Sequence, residues 1–149
     1  MKLHQLFSHW DQIHKDTLAV IDRFRETELT YVPYEDGWNV GQIALHIADA
    51  EEGWFRHIAA REIETWPANH TLEDYPTKGA IKSLLAETHA RTMAYLETLT
   101  IDNLADVIES EWGDFTPRFI IWHVIEHEIH HRGELSLILG LLGREGLDV

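Results

Sequence analysis

The sequence predicts an all-α fold, a four-helix bundle, and three observations carry that reading. Four segments of about 23 to 27 residues repeat apolar side chains every three or four positions, the spacing that lines one face of a helix. No strand pattern recurs along the chain. All four prolines fall in loops or at a helix start. At about 1.5 Å per residue each helix would run roughly 35–40 Å, a length suited to antiparallel packing in one bundle. The 149 residues suffice for one sizeable core and no linker divides them, so residues 1–149 read as a single domain.

The first helix is expected from Leu3 to Thr27, with Leu3, Leu6, Phe7, Trp10, Ile13, Leu18, Ile21 and Phe24 as its apolar positions. The turn-rich YVPYEDGW follows it. The second is expected from Asn39, a residue suited to an N-cap, to Ile63. TWPANHTLEDYP then reads as a loop through its prolines and polar residues. The third runs from Thr77 to Leu99 and buries Ile81, Leu84, Leu85, Met93 and Leu96. Residues 100–115 fit either a short helix or a strand-like excursion. The fourth helix is the best delimited: Thr116 caps it, Pro117 suits its first position, and Gly143 terminates it.

Composition narrows the function classes. Acidic residues outnumber basic ones 26 to 12, for a formal charge of −14, and no Lys/Arg-rich run offsets this locally. Such a surface repels phosphate backbones, so no nucleic acid is expected as a partner. With no cysteine, disulfides, zinc ribbons and a cysteine nucleophile are excluded. No run approaches the roughly 18 apolar residues of a membrane span, and the N-terminal residues lack a secretory core. The expectation is a cytoplasmic protein without membrane contact.

The stretch HVIEHEIHHRGEL, His123 to Leu135, puts four histidines and three glutamates into an otherwise apolar segment. On a helical wheel with His127 at zero, Ile120, Val124, Leu135, Ile138 and Leu142 fall at about 20–80°, and His131 falls among them at about 40°. Two histidines four apart on a core-facing stripe are either satisfied core side chains or the start of a shared metal site. His46, at the margin of the second helix's apolar stripe, supplies a third imidazole from a facing helix. His57 lies about 16 Å further along that axis, too far to share an ion with His46. Histidines 4, 9, 14, 70 and 89 are expected to be solvated.

Two glutamates are candidate catalytic groups. Residues 127–131 spell H-E-x-x-H, which makes Glu128 a candidate general base of a zinc-protease motif. The context opposes a peptidase: there is no further histidine ligand beyond the second, and no strand to pair with a peptide. Glu134, one turn beyond His131, either orients an imidazole or pairs on the surface with Arg56 or Arg61. Trp38 and Trp54 either wall the pocket or belong to the core.

The motifs W-N-V-G-Q-I-A-x-H-I-A-D-A-E at 38–51, H-x-x-x-H-R-G-E-L at 127–135 and LGREGLDV at 142–149 resemble the DinB family. That resemblance implies a four-helix bundle holding one divalent metal through His46, His127 and His131. Zinc or nickel stand foremost, with iron or manganese also compatible. The wider family includes metal-dependent transferases of low-molecular-weight thiols and a thiol-dependent maleylpyruvate isomerase. The expectation is therefore a metal-dependent enzyme on a small molecule, of thiol transferase or hydrolase type. The alternative is a non-catalytic metal-binding stress-response or interaction module.

A homodimer is also expected, through the outer face of the fourth helix. Trp122, Ile125, Ile129, Gly133 and Gly140 fall opposite the metal-facing stripe, where a monomer would expose them. Folding of residues 100–115 over that sector is the competing arrangement.

Overall fold

The computed structural model describes residues 1–146. A single turn, α1 (Leu3–Leu6), leads into α2 (His9–Asp22), which forms a four-helix bundle with α3 (Val40–Glu52), α4 (Lys78–Thr98) and α5 (Pro117–Leu141). Among the described residues there is no strand, only two isolated bridges, Lys2 with Thr100 and Ile108 with Phe115. None of the described helices is long and apolar enough to cross a membrane.

Three of the four long helices begin with side-chain caps. Asn39 Oδ1 accepts from the Gln42 N–H at 2.8 Å while Gln42 Oε1 accepts from the Asn39 N–H at 2.9 Å. This reciprocal box satisfies donors that the first turn would leave orphaned. Thr77 and Thr116 accept in the same way from Ala80 and Phe119, at 3.1 and 3.2 Å. Each such cap contributes about 1 kcal/mol. Beyond α5, Gly143 takes a φ of 76°, the left-handed conformation that ends helices.

The structure departs from the sequence reading at two places and resolves a third. The expected helix Leu3–Thr27 is broken at Phe7 (φ −103°, ψ 23°) and ends at Asp22. The break follows from tethering: the Leu3 N–H donates to Leu99 O at 3.0 Å and the Ile101 N–H to Met1 O at 3.2 Å, which ties α1 to the end of α4. The second helix does not reach Ile63. It widens into a π-helical segment over Gly53–Ala59, and Arg61 then turns the chain at φ 54°. Residues 100–115 contain both expected conformations, a 3₁₀ turn at Ile101–Ala105 and then paired N–H···O bonds between Ile108 and Phe115 at 2.8 and 2.9 Å. The end of the LGREGLDV motif, from residue 147, lies outside the described residues.

The loop between α3 and α4 lies against two glycines, one in α3 and one at the start of the π-helical segment that follows it. Leu72 covers Gly41 and Trp66 covers Gly53, and a Cβ at either position would overlap those side chains. The core has two apolar clusters, one around Ile21, Ile43, Leu85 and Leu135, the other around Trp10, Phe55, Leu96 and Ile121. Burying each large aliphatic side chain stabilises the fold by about 1.5–3 kcal/mol. Between the clusters lies a layer of buried polar residues, including His14, Thr17, Glu51, Thr88, His89 and Glu128.

Candidate metal centre

His46 on α3 meets His127 and His131 on α5. The two α5 histidines are one turn apart, so both project toward the neighbouring helix. Ring centroids are separated by 4.8 Å (His46–His127), 5.0 Å (His46–His131) and 4.5 Å (His127–His131). Nε2 of His127 stands 3.0 Å from Nε2 of His46. One nitrogen from each of the three rings lies within 4.8 Å of the others. Two nitrogens on one tetrahedral zinc, each at about 2.0–2.1 Å, would be about 3.3 Å apart, close to the His46–His127 spacing.

The rings are only half-buried, at the edge of the core rather than inside its stripe. α5 turns Ile121, Ile125, Glu128 and Leu139 inward with Val124 and Leu135, so the buried face is rotated from the expected one. Ile125, expected on the outer face, is thus part of its own chain's core. Trp122 and Ile129 remain exposed, at 58% and 41%, and Gly133 and Gly140 face open space.

Electrostatics favour the neutral form of two of these imidazoles, His127 and His46. Burial pushes His127 down to about 3, helped by the positive potential of His131, His46, His123 and His130. Burial, then His131, lowers His46 as well. A neutral ring offers the lone pair that a metal ion requires. His131 donates through Nδ1 to Glu134 Oε2 at 2.8 Å, which leaves Nε2 as its free nitrogen. Glu134 therefore orients a histidine. The competing surface pairs do not form, because Arg56 binds Glu52 and Glu62 and Arg61 donates to the Glu109 carbonyl. His127 Nδ1 is buried with no partner among the described residues, so any ion the ring binds must be held without a carboxylate behind it. Three imidazole nitrogens at this spacing fit a divalent transition ion, and the donor set is compatible with zinc, nickel, iron and manganese alike.

His46 also lines a cleft of about 290 Å³ with Trp38, Gln42, Asp49, Asn69 and His70. Trp38 stands edge-on to His46 at 4.7 Å and walls this side of the centre. Trp54 does not. It packs against Trp66, Phe115 and His123 beside the second apolar cluster. Asp49, buried on α3, accepts from both the backbone N–H of His70 at 2.9 Å and its Nδ1 at 2.6 Å. That hydrogen bond raises the His70 pKa against the opposing effect of burial. On the other side of the triad, His123, Glu126, His127 and His130 line a second hollow of about 280 Å³.

Glu128 is not at the centre. It is 1% exposed and turned into the bundle, accepting from Trp10 Nε1 at 2.7 Å and His14 Nδ1 at 3.0 Å. One residue from His127 on a helix is about 100° away, so the H-E-x-x-H spelling places its glutamate on a different face from the imidazole. Burial pulls its pKa up, but the His14, Trp10 and Thr17 contacts outweigh this and hold it low.

The expectation of solvated histidines also fails. His14 and His89 are 4% and 6% exposed, and His4 and His70 are partly buried; of the five only His9 is exposed. A signal existed: Trp10, His14, Thr17, Ile21 and Phe24 are spaced 4, 3, 4 and 3 apart, so His14 sits on the apolar seam of its helix.

The sequence model of the DinB family matches residues 1–149. The chain is 24% identical over 148 residues to the uncharacterized protein YjoA of Bacillus subtilis (strain 168), covering 97% of this chain and 93% of that one. It is 29% identical over 102 residues to the uncharacterized protein YizA of the same organism, across 66% of this chain and 62% of that protein, less than two thirds of its length. A crystal structure of a DinB-like protein from Bacillus cereus ATCC 10987 superposes with a TM-score of 0.78 at 16% identity, covering 99% and 97% of the two chains. That of YjoA gives 0.75 at 23% identity, covering 97% and 96%. These two likenesses establish the fold, and the match over the full length establishes the lineage: the chain belongs to the DinB family.

Proposed function

We propose that this protein is a divalent-metal-dependent enzyme acting on a small molecule, by thiol transfer or hydrolysis. The carrying observation is that three imidazole donors converge where one of them, His46, forms the wall of a small-molecule-sized cleft. His46, His127 and His131 would hold the ion, and three protein ligands leave a position for substrate. When bound, such an ion supplies Lewis acidity that favours the deprotonated form of a water or thiol.

The chain's own residues have separable tasks. Glu134 fixes the tautomer of His131. Trp38 offers an aromatic face beside His46, and Gln42 and Asn69 offer hydrogen bonds along the cleft. The chain has no cysteine, so in a thiol transfer the thiol must arrive as a co-substrate. A second reading, a metal-binding module without catalysis, is favoured by Glu128: the carboxylate of the sequence motif faces away from the centre.

The test has two parts. Elemental analysis should find that His127→Ala lowers the metal content of the full chain by about one ion. A screen of small thiols with electrophiles, and of small esters and amides, should show turnover in metal-loaded protein that is lost on chelation and in His127→Ala. Undiminished metal in His127→Ala would reject the site. Metal lost in the variant but no turnover in loaded protein would favour the non-catalytic reading.

A further inference from the structure

We propose that His14, Glu51 and His89 form a second divalent-metal site, enclosed at the waist of the bundle and separate from the three-histidine centre. One ligand atom from each of the three lies within 4.8 Å of the others, and all three side chains are buried. They come from α2, α3 and α4, and α5 adds Glu128 behind His14. Each of the four bundle helices thus sends at least one polar side chain into the same layer, the way bundles build internal metal sites.

Hydrogen bonding sorts these groups into ligands and supports. His14 donates through Nδ1 to Glu128 Oε1 at 3.0 Å. Its other nitrogen, Nε2, is buried and has no partner among the described residues. A carboxylate on one imidazole nitrogen with the opposite lone pair free is the arrangement that orients a metal-binding histidine. His89 shares the carboxylate support, with Nε2 3.0 Å from Asp11 Oδ1, but its Nδ1 is hydrogen-bonded to Glu51 Oε1 at 3.2 Å, a contact that an ion would replace, at close to the ligand–ligand spacing on one ion. Glu128 and Asp11 are therefore the supports, and His14, His89 and Glu51 the ligands. Two histidines and one carboxylate suit zinc or ferrous iron.

Charge points the same way. Glu51 and Glu128 are both 1% exposed, and two carboxylates out of water require positive charge beside them. In the metal-free layer the carboxylates Glu51 and Asp11 on either side of His89 favour its positively charged form. Burial works against its protonation, but the bonds to Glu51 and Asp11 prevail and raise its pKa. A divalent ion between the ligands would supply that charge directly. The rings of His14 and His89 now stack at 4.3 Å and 11°, and because imidazole lone pairs lie in the ring planes, binding one ion would require a ring to rotate out of the stack. Asp11, half-exposed, connects the layer to solvent.

The test uses the full chain with the three-histidine centre removed by His127→Ala, stripped with chelator and reloaded with Co(II) or Zn(II). The folded variant, checked by circular dichroism, should bind about one ion per chain, with Co(II) giving visible absorption of a nitrogen–oxygen site. Binding should vanish on adding Glu51→Gln or His89→Gln. If His127→Ala fails to fold, His46→Ala serves in its place; if His89→Gln does, the isosteric Glu51→Gln decides. Folded His127→Ala that binds no ion, or binds it equally with Glu51→Gln, would overturn the proposal.

Discussion

Glu128 and Glu134 sit six residues apart on α5, and replacing each by glutamine should have opposite consequences. In metal-free protein Glu128→Gln removes one of two hydrogen bonds to a buried carboxylate, from Trp10 Nε1 at 2.7 Å or His14 Nδ1 at 3.0 Å. The new NH₂ group must face an N–H donor. A hydrogen bond to a charged group is worth about 1.5–3 kcal/mol, and the surviving bond drops to neutral strength, so the cost is about 2–4 kcal/mol. For a chain of this size that lowers the melting temperature by roughly 5–15 °C. Glu134 is 29% exposed, and its loss should cost below about 1 kcal/mol. Because Glu134 orients His131, however, its replacement should weaken metal binding at the three-histidine centre by about 10–100-fold. Thermal and urea denaturation of chelated protein read the first effect, and isothermal titration with zinc reads the second. If Glu128→Gln melts within about 1 kcal/mol of wild type, or Glu134→Gln destabilises as much, the division between a core glutamate and a site glutamate is wrong.

Acid should destabilise the metal-free protein through His127. Its folded pKa lies below that of the unfolded chain, so between pH 6.5 and about 3 the unfolded chain binds the extra proton and stability falls as pH drops. The ceiling at pH 5 is about 2 kcal/mol, nearer 1 for a ring this exposed, and His127→Gln should flatten the urea midpoint between pH 7 and 5. His89 acts in the opposite direction: its raised pKa gives stability present below pH 6.5 and lost as pH rises through the folded value, which Glu51→Gln should diminish. Gly53→Val should cost about 1–3 kcal/mol by displacing Trp66, measured by denaturation and by a change in tryptophan fluorescence. A dimer through exposed Trp122 and Ile129 is proposed, and light scattering should find twice the chain mass of 17.3 kDa, reverting to one chain in Ile129→Asp; monomer at micromolar concentration in wild type rejects it.

The helical fold was legible because helix periodicity and caps are local properties of sequence. Asn39, Thr77, Thr116, Pro117 and Gly143 mark boundaries through bonds within a few residues, and the structure uses each at the expected place. The proximity of His127 and His131 follows equally from spacing along one helix. Helix ends set by distant tethers were not legible: the break at Phe7 depends on Leu99 and Thr100, and the π-helical widening at Gly53 accompanies the passage of Trp66 across it.

What tertiary structure alone decided is which polar side chains share a layer and which way each helix is rotated. A helical wheel gives the angles between side chains on one helix, but its zero is set by the neighbours it packs against. α5 turned Glu128 and Ile125 inward and left His127 and His131 at the rim, so a glutamate that spells a catalytic motif became a buried hydrogen-bond acceptor. His14, Glu51, His89 and Glu128 are spread across the chain on four helices, and no local spacing connects them. Their cost of burial is met only when all four arrive together, because a buried charge is tolerated only beside a partner.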